Sequence, residues 1–273
     1  MNKNKNKTGI ISILLSLILI LNIIMPINVF ADEKTEEKNI LNEINSLKEV
    51  IKSKKTKDYL DCLTLRALGE PINKQDLNLV ENGNSKVNAQ NIIKLFSAKE
   101  DIKNREYIKY VKVLTDNLNE NGFLSAKGNE LQDYDLGTTA LCIIALELTV
   151  SDYNKELASK ALIKYVNSEL EKDNDQIKDV VSISNTIVAL KLLNLENCNE
   201  NINKFLDIFK YCINYEGKIE TDMTWPSYNG SLIQALTLIG EDPTSDNWTS
   251  DNDTNLIDGL NAFDCNTDEK KIK

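Results

Sequence analysis

Three stretches of the chain are apolar on almost every side of a helix, and each opens with polar residues that favour a helix start. They are Leu136–Leu148, Val180–Leu193 and Tyr228–Gly240. A helix that is apolar all round is buried all round, unlike a surface helix with a single apolar stripe. Each stretch runs through an Ala-Leu-x-Leu sequence, and the three copies are 44 and 46 residues apart. A period of this length predicts a helical-repeat architecture.

Amphipathic segments with one apolar face alternate with these stretches. They are 40–51, 107–118, 157–170, 202–213 and 256–263. The segment 59–68 resembles the buried stretches, and 89–98 is a weaker example. No segment alternates with a period of two, so we predict an all-α fold with little or no sheet. Pairs of about 45 residues predict two concentric layers, with the buried helices forming an inner ring.

The first 31 residues have the features of a secretory signal peptide. Three lysines precede an apolar run from Ile10 to Ile27, and Val29-Phe30-Ala31 supplies a cleavage site. A retained membrane anchor is the alternative, because the run is nearly long enough to span a bilayer. We expect a charged, disordered leader at 32–39, one domain at 40–265 and a polar tail at 266–273. The chain has no cell-wall sorting signal and no lipobox, which favours release into the medium. Heavy use of Lys, Asn and Ile is typical of bacteria with AT-rich genomes.

Charge and composition narrow the range of ligands. Cleavage removes three lysines and no acid, so the formal net charge changes from −10 to −13. This charge repels nucleic acid and anionic lipid. The chain has no His, which removes the commonest general base and metal ligand. Its five Cys are spread singly, so they predict neither a disulfide framework nor a metal motif, although one bridge stays open. Cys142 and Cys212 lie on apolar helical faces and are interpreted as core residues.

One buried stretch carries a resemblance to a known superfamily. Asp135-Leu-Gly-Thr-Thr-Ala-Leu-Cys-Ile-Ile-Ala-Leu resembles the inner-helix signature of α/α toroids, and Asn121-Gly122-Phe123 resembles the turn that precedes such helices. This superfamily includes squalene and terpene cyclases, protein prenyltransferase β-subunits and vitamin B12 carriers. The resemblance covers about residues 55 to 265 and implies an α/α toroid. A full toroid has about six helix pairs and this chain has four or five, so a complete and an incomplete ring both remain open.

The enzymes of the superfamily need residues that this chain lacks. The resemblance to terpene cyclases implies an Asp-x-Asp-Asp acid motif before the inner helix, but Gly137 and Thr138 occupy the positions of the acidic pair. A lone exposed Asp has an ordinary pKa and cannot protonate an alkene. The prenyltransferases hold zinc with Asp, Cys and His, and this chain has no His. We therefore expect no metal and neither activity.

Two hypotheses remain for the chemistry. A glycan-active enzyme needs two carboxylates across a cleft, and the candidates precede the buried helices: Asp133, Asp135, Glu220 and Asp222. A binding protein would use the end of the ring where the N-termini of the inner helices gather. The candidates there are Tyr134, Asp135, Thr138, Ser184, Asn185, Trp225, Tyr228 and Asn229. The polar ones among them are also typical helix caps.

We favour an exported, non-catalytic toroid domain that binds a small molecule or a cell-surface component. The alternative is a degenerate cyclase-like or glycan-active enzyme. The resemblance to B12 carriers implies a cobamide as one conceivable ligand, although those carriers complete the site with a second, β-rich domain. We expect no bound cofactor, no nucleic-acid partner and no membrane contact after cleavage of the signal.

Overall fold

The computed structural model describes residues 36–81, 83–101, 103–118, 120–124, 136–172, 177 and 179–263. Within these ranges the chain forms α-helices and two short 3₁₀ turns, Lys74–Leu77 and Asp246–Trp248. The helices are α1 Glu36–Ser53, α2 Tyr59–Ala67, α3 Ser85–Ser97, α4 Arg105–Asp116, α5 Leu136–Leu148, α6 Lys155–Lys172, α7 Val180–Leu193, α8 Glu196–Lys210, α9 Pro226–Ile239 and α10 Leu256–Asn261. The described residues form no β-strand, so the all-α prediction is confirmed.

The helices pack in two sets that follow the repeat. In the first set, which we call the inner row, each helix packs on the next in the order α2, α3, α5, α7, α9. In the second set, α4 packs on α3 and α5, α6 on α5 and α7, α8 on α7, and α10 on α9. Helix α7 therefore has neighbours in both sets, which explains why its sequence is apolar on every side.

Local sequence sets the ends of the inner-row helices. Helix α7 begins where the Asp179 carboxylate accepts a hydrogen bond of 3.0 Å from the Ser182 N–H, and it ends at Asn194 in a left-handed conformation. Helix α9 has Pro226 at its first position and Gly240, with φ of 90°, just after its last. Proline at the start and glycine after the end suit the backbone that each position requires.

A seven-residue turn recurs along the chain. Isolated antiparallel bridges close it at Leu118–Leu124, Ile213–Ile219 and Thr249–Asn255. The fifth residue of each copy has a positive φ, at Gly122, Gly217 and Asp253. The first two copies each lie between a helix of the second set and a helix of the inner row, which is the same place in the repeat, whereas the third lies between α9 and α10.

The first two copies of this turn rest on a helix of the second set. A Cβ added to Gly122 would collide with the Leu157 carbonyl in α6, and one added to Gly217 would collide with the Asn255 carbonyl before α10. Leu157 and Asn255 each lie at the start of the helix that supports the turn. The two glycines therefore allow the same close approach in two repeats.

Several sequence predictions concern residues at the ends of the chain or in the core. The signal peptide and the tail at 266–273 lie outside the described residues, and α1 begins at Glu36, inside the predicted leader. No helix in the described part combines the length and the apolarity needed to cross a bilayer. Cys142 is fully buried, whereas Cys212 is half-buried against the core. The four described cysteines carry free thiols, and Cys265 lies outside the described ranges.

Candidate functional site

A cavity of about 240 Å³ lies against the inner row, and all five helices of the row contribute to its wall. We call it the inner cavity. Its lining is Tyr59, Leu60, Leu63, Ile93, Phe96, Leu141, Ile144, Leu148, Val181, Asn185, Val188, Leu192, Ser227, Ser231, Gln234 and Leu238. Along α3, α5, α7 and α9 the lining positions recur every three or four residues, so each of these helices presents one stripe to the cavity.

The lining residues of α5, α7 and α9 occupy equivalent positions in the repeat. The spacings of 44 and 46 residues that relate the Ala-Leu pairs also relate the lining positions, and so define three rungs across these helices. The first rung is Leu141, Asn185 and Ser231; the second is Ile144, Val188 and Gln234; the third is Leu148, Leu192 and Leu238. The repeat register thus determines which side chains reach the cavity.

Polarity changes along the rungs and from one helix to the next. The third rung is entirely apolar, whereas the first two carry Asn185, Ser231 and Gln234. Ser227 extends this polar side of the cavity along α9. Among the described residues, no charged side chain lines the inner cavity. A mostly apolar pocket with a few polar groups is the usual composition of a small-molecule site.

Asn185 and Gln234 are the two amides of the lining, and both side chains are half-buried. Neither amide bonds to another residue in the described part of the chain. The Ser231 hydroxyl donates a bond of 3.1 Å to the Tyr228 carbonyl, which leaves its oxygen free to accept. Each amide has two donor hydrogens and one acceptor oxygen. The polar side of the cavity can therefore bind a group that both donates and accepts hydrogen bonds.

Aromatic side chains form part of the cavity wall on α2 and α3. The Arg66 guanidinium lies 3.9 Å from the centre of the Phe96 ring and donates a hydrogen bond to the Phe96 carbonyl. This contact helps to fix the Phe96 ring, which lines the cavity. Burial raises the pKa of Tyr59, and the nearby Asp58 raises it further.

The structure separates the residues that the binding hypothesis placed together. Asn185 lines the inner cavity, whereas its neighbour Ser184 is buried and its hydroxyl bonds to no residue in the described ranges. Thr138 is buried in the first turn of α5, and Tyr228 is half-buried against the core. Trp225 is the residue just before α9 and is 36 % exposed.

Asn229 has a different environment from the other candidates. Its side chain is fully buried and makes three hydrogen bonds to backbone groups, with Ile219, Gly217 and Leu256. These bonds join the seven-residue turn at 213–219 to α9 and α10, so the geometry of Asn229 is that of a structural residue. Three further candidates lie outside the described residues: Asp133, Tyr134 and Asp135.

The two described carboxylate candidates, Glu220 and Asp222, share a second cavity. This cavity has a volume of about 970 Å³ and lies between α8 and the segment that leads to α9; we call it the acidic cleft. Glu200, Asp207 and the exposed Tyr211 also line it. The Glu220 carboxylate accepts a bond of 2.7 Å from the Asn214 amide, and Asp207 pairs with Lys210 at 2.9 Å. No group of three or more His, Cys, Asp or Glu residues in the described part of the chain has a geometry that could hold a metal ion.

Comparisons with known proteins find no relative of this chain. No family model matches the sequence, and neither the curated proteins nor the solved structures include a match.

The sequence analysis did not predict most of the residues that line the inner cavity. Of the predicted ligand-binding residues, only Asn185 is among the described lining residues. A helix that is apolar on all sides gives no stripe that distinguishes a cavity from a core. The signal that could have located the cavity is the repeat itself, because Asn185, Ser231 and Gln234 are polar positions within buried stretches at equivalent or adjacent rungs.

Proposed function

We propose that this chain is a non-catalytic binding protein that holds a small, largely apolar molecule in the inner cavity. The observation that carries the proposal is the convergence of all five inner-row helices on one cavity, whose lining in the described ranges includes no charged residue. Half-buried apolar side chains on four of these helices, among them Leu63, Phe96, Ile144 and Leu192, would gain burial from such a ligand. The cavity volume favours a ligand much smaller than a cobamide.

We propose that the helices form an open α/α toroid, with the inner row as its inner layer. The stepwise packing of α2, α3, α5, α7 and α9 and the placement of the other helices between them support this arrangement. The apolar segment at 10–27 supports export of the protein, with action outside the cell.

A substitution that fills the inner cavity tests the binding proposal. The probe is N-phenyl-1-naphthylamine, an uncharged dye whose fluorescence rises in apolar surroundings. Ile144→Trp places a large ring in the cavity, so we expect dye affinity to fall more than about tenfold, because the ring occupies the binding volume. The matched control is Ile108→Trp on α4, where the native side chain is 56 % exposed, and dye affinity should not change.

Two outcomes would contradict the binding proposal. In one, the natural protein does not bind the dye; in the other, Ile144→Trp binds it as well as Ile108→Trp does. Circular dichroism of both variants checks that each is folded. Native mass spectrometry of the exported protein then asks whether a molecule is retained by the natural chain and absent from Ile144→Trp.

A second candidate function is glycan hydrolysis in the acidic cleft. The observation that favours it is that carboxylates line the cleft from both elements, Glu220 and Asp222 from the segment before α9 and Glu200 and Asp207 from α8. Carboxylates on two sides of a cleft can act as acid and base on a glycosidic bond. Release of reducing sugar from cell-wall glycan, lost in both Glu220→Gln and Asp222→Asn, would support this function. Absence of release from the natural protein would eliminate it.

A further inference from the structure

The distribution of polar groups in the inner cavity narrows the class of ligand. The polar groups of its rungs lie on α7 and α9, at Asn185, Ser231 and Gln234. Across the cavity, α2, α3 and α5 contribute apolar and aromatic side chains. The third rung, at one end of the cavity, consists of the aliphatic side chains of Leu148, Leu192 and Leu238 alone. We call the part of the cavity lined by Asn185, Ser231 and Gln234 the polar corner, and the part lined by the third rung its apolar end.

We infer that the ligand of the inner cavity is an uncharged amphiphile, with a hydroxyl, ester or amide head group at the polar corner and an aliphatic tail toward the third rung. This inference rests on the proposed function, because it names the ligand class of the same cavity. The Asn185 and Gln234 amides bond to no other residue in the described part of the chain, so both can bond to the head group. Each carries two donors and one acceptor, which matches a head group that has both kinds of atom.

The uncharged lining in the part of the chain that the structure describes argues against ionic ligands. A carboxylate or ammonium group transferred into this cavity would lose its hydration and find no opposite charge on those lining residues. A purely apolar molecule fits less well for the opposite reason, because it would cover the two amides without replacing their bonds to water. An uncharged polar head group avoids both costs.

The size of the cavity limits the tail. The lining of α7 from Val181 to Leu192 runs along about 16 Å of helix, at about 1.5 Å per residue. A medium-length chain that lies along α7 and α9 suits this length.

Three probes with the same eight-carbon tail test the inference: octanoylglycerol, octanoate and octylammonium. Each competes with N-phenyl-1-naphthylamine for the full-length exported protein. We expect octanoylglycerol to displace the dye at concentrations at least about tenfold lower than either ion, because its head group keeps its hydrogen bonds without burying a charge. Equal or better displacement by octanoate or octylammonium would overturn the inference.

Variants of the polar corner provide the second measurement. We expect the pair Ser231→Ala and Gln234→Leu, made together, to weaken octanoylglycerol binding about tenfold more than it weakens dye binding, because octanoylglycerol loses the bonds to its head group. Asn185→Leu should act in the same direction. Lys191→Ala is the control, because this residue lies on α7 at an exposed position outside the lining. If the double variant does not fold, the single variants Gln234→Leu and Asn185→Leu carry the test.

The outcomes separate this inference from the proposed function. If the natural protein does not bind the dye, the proposed function is contradicted. If the natural protein binds the dye and Ile144→Trp blocks this binding, the proposed function stands. If the polar-corner variants then bind octanoylglycerol as tightly as the natural protein does, only the ligand class is contradicted. Dimeric protein that binds dye only after dilution would identify a second copy of the chain as the occupant, and would overturn the inference as well.

Discussion

The side-chain amide of Asn229 donates a hydrogen bond of 2.8 Å to the carbonyl oxygen of Gly217. The same side chain accepts a bond of 2.9 Å from the Ile219 N–H and donates one of 3.0 Å to the Leu256 carbonyl. One buried amide thus connects a turn and the start of α10 to α9. Its role is to satisfy backbone groups that the seven-residue turn leaves without partners.

Replacement of this amide should destabilise the protein. We expect Asn229→Ala to lower the free energy of unfolding by about 3 kcal/mol, because buried backbone groups at Gly217 and Ile219 lose their partners. Urea unfolding followed by circular dichroism measures the change. Asn185→Ala is the matched control and should cost less than about 1 kcal/mol, because that amide bonds to no described residue. Equal losses in the two variants would contradict the structural role of Asn229.

The glycines of the recurrent turn differ from other glycines with a positive φ. Gly217→Ala should lower stability by about 2 kcal/mol more than Gly240→Ala does. Both positions require a left-handed backbone, but an added Cβ collides with the Asn255 carbonyl at Gly217 and meets nothing within 4 Å at Gly240. Gly122→Ala should match Gly217→Ala, because its Cβ would collide with the Leu157 carbonyl. Thermal unfolding of the three variants compares them, and a cost at Gly240 as large as at Gly217 would contradict the packing of the turn.

The cysteines should react in an order set by burial. In a Cys265→Ser background, we expect Cys212 to react with iodoacetamide first, because it is half-buried and lines the acidic cleft. Cys62, Cys142 and Cys198 are buried and should react only after unfolding. Peptide mapping by mass spectrometry identifies the modified residue. Rapid modification of two or more thiols in the folded protein would be inconsistent with this burial.

Stability should fall at alkaline pH, in part because of Cys62. Burial raises the pKa of this thiol from 9.0 to about 12. The unfolded chain therefore releases the proton at a lower pH than the folded chain, so the stabilising contribution is complete below pH 9.0 and is lost between pH 9.0 and about 12. Cys62→Ser removes this titration, and its urea midpoint should decline less between pH 8 and pH 10 than that of the natural protein. Ser97→Ala, a buried change without a titrating group, should leave the decline as it is.

Hydrophobic periodicity located the helices well. The apolar stretch predicts α7 at its observed bounds, Val180–Leu193, and the structure shows Asp179 capping its start and Asn194 ending it in a left-handed conformation. Helix α3 was predicted four residues too short at its start, because Ser85 and Asn88 are buried polar residues that a hydrophobic pattern does not count.

The candidate site was harder to predict, for a physical reason. Polar residues at the start of a buried helix can cap it, bond to a neighbouring turn or bind a ligand, and the sequence does not distinguish these roles. Asn229 bonds to a turn, whereas Asn185 reaches the inner cavity. The difference depends on long-range packing, which placed residue 229 beside residues 217 and 256.

The register of the three rungs sets different tolerances for insertions in loops and in helices. The repeat spacings of 44 and 46 residues differ by two, and the segments between the inner-row helices absorb this difference. One residue inserted within α7 would instead rotate everything after it by about 100° around the helix axis. Such an insertion after Asn185 would turn Val188 and Leu192 away from the inner cavity. Length variation should therefore be confined to the connecting segments, while the lengths of α5, α7 and α9 between their first and last rungs are fixed.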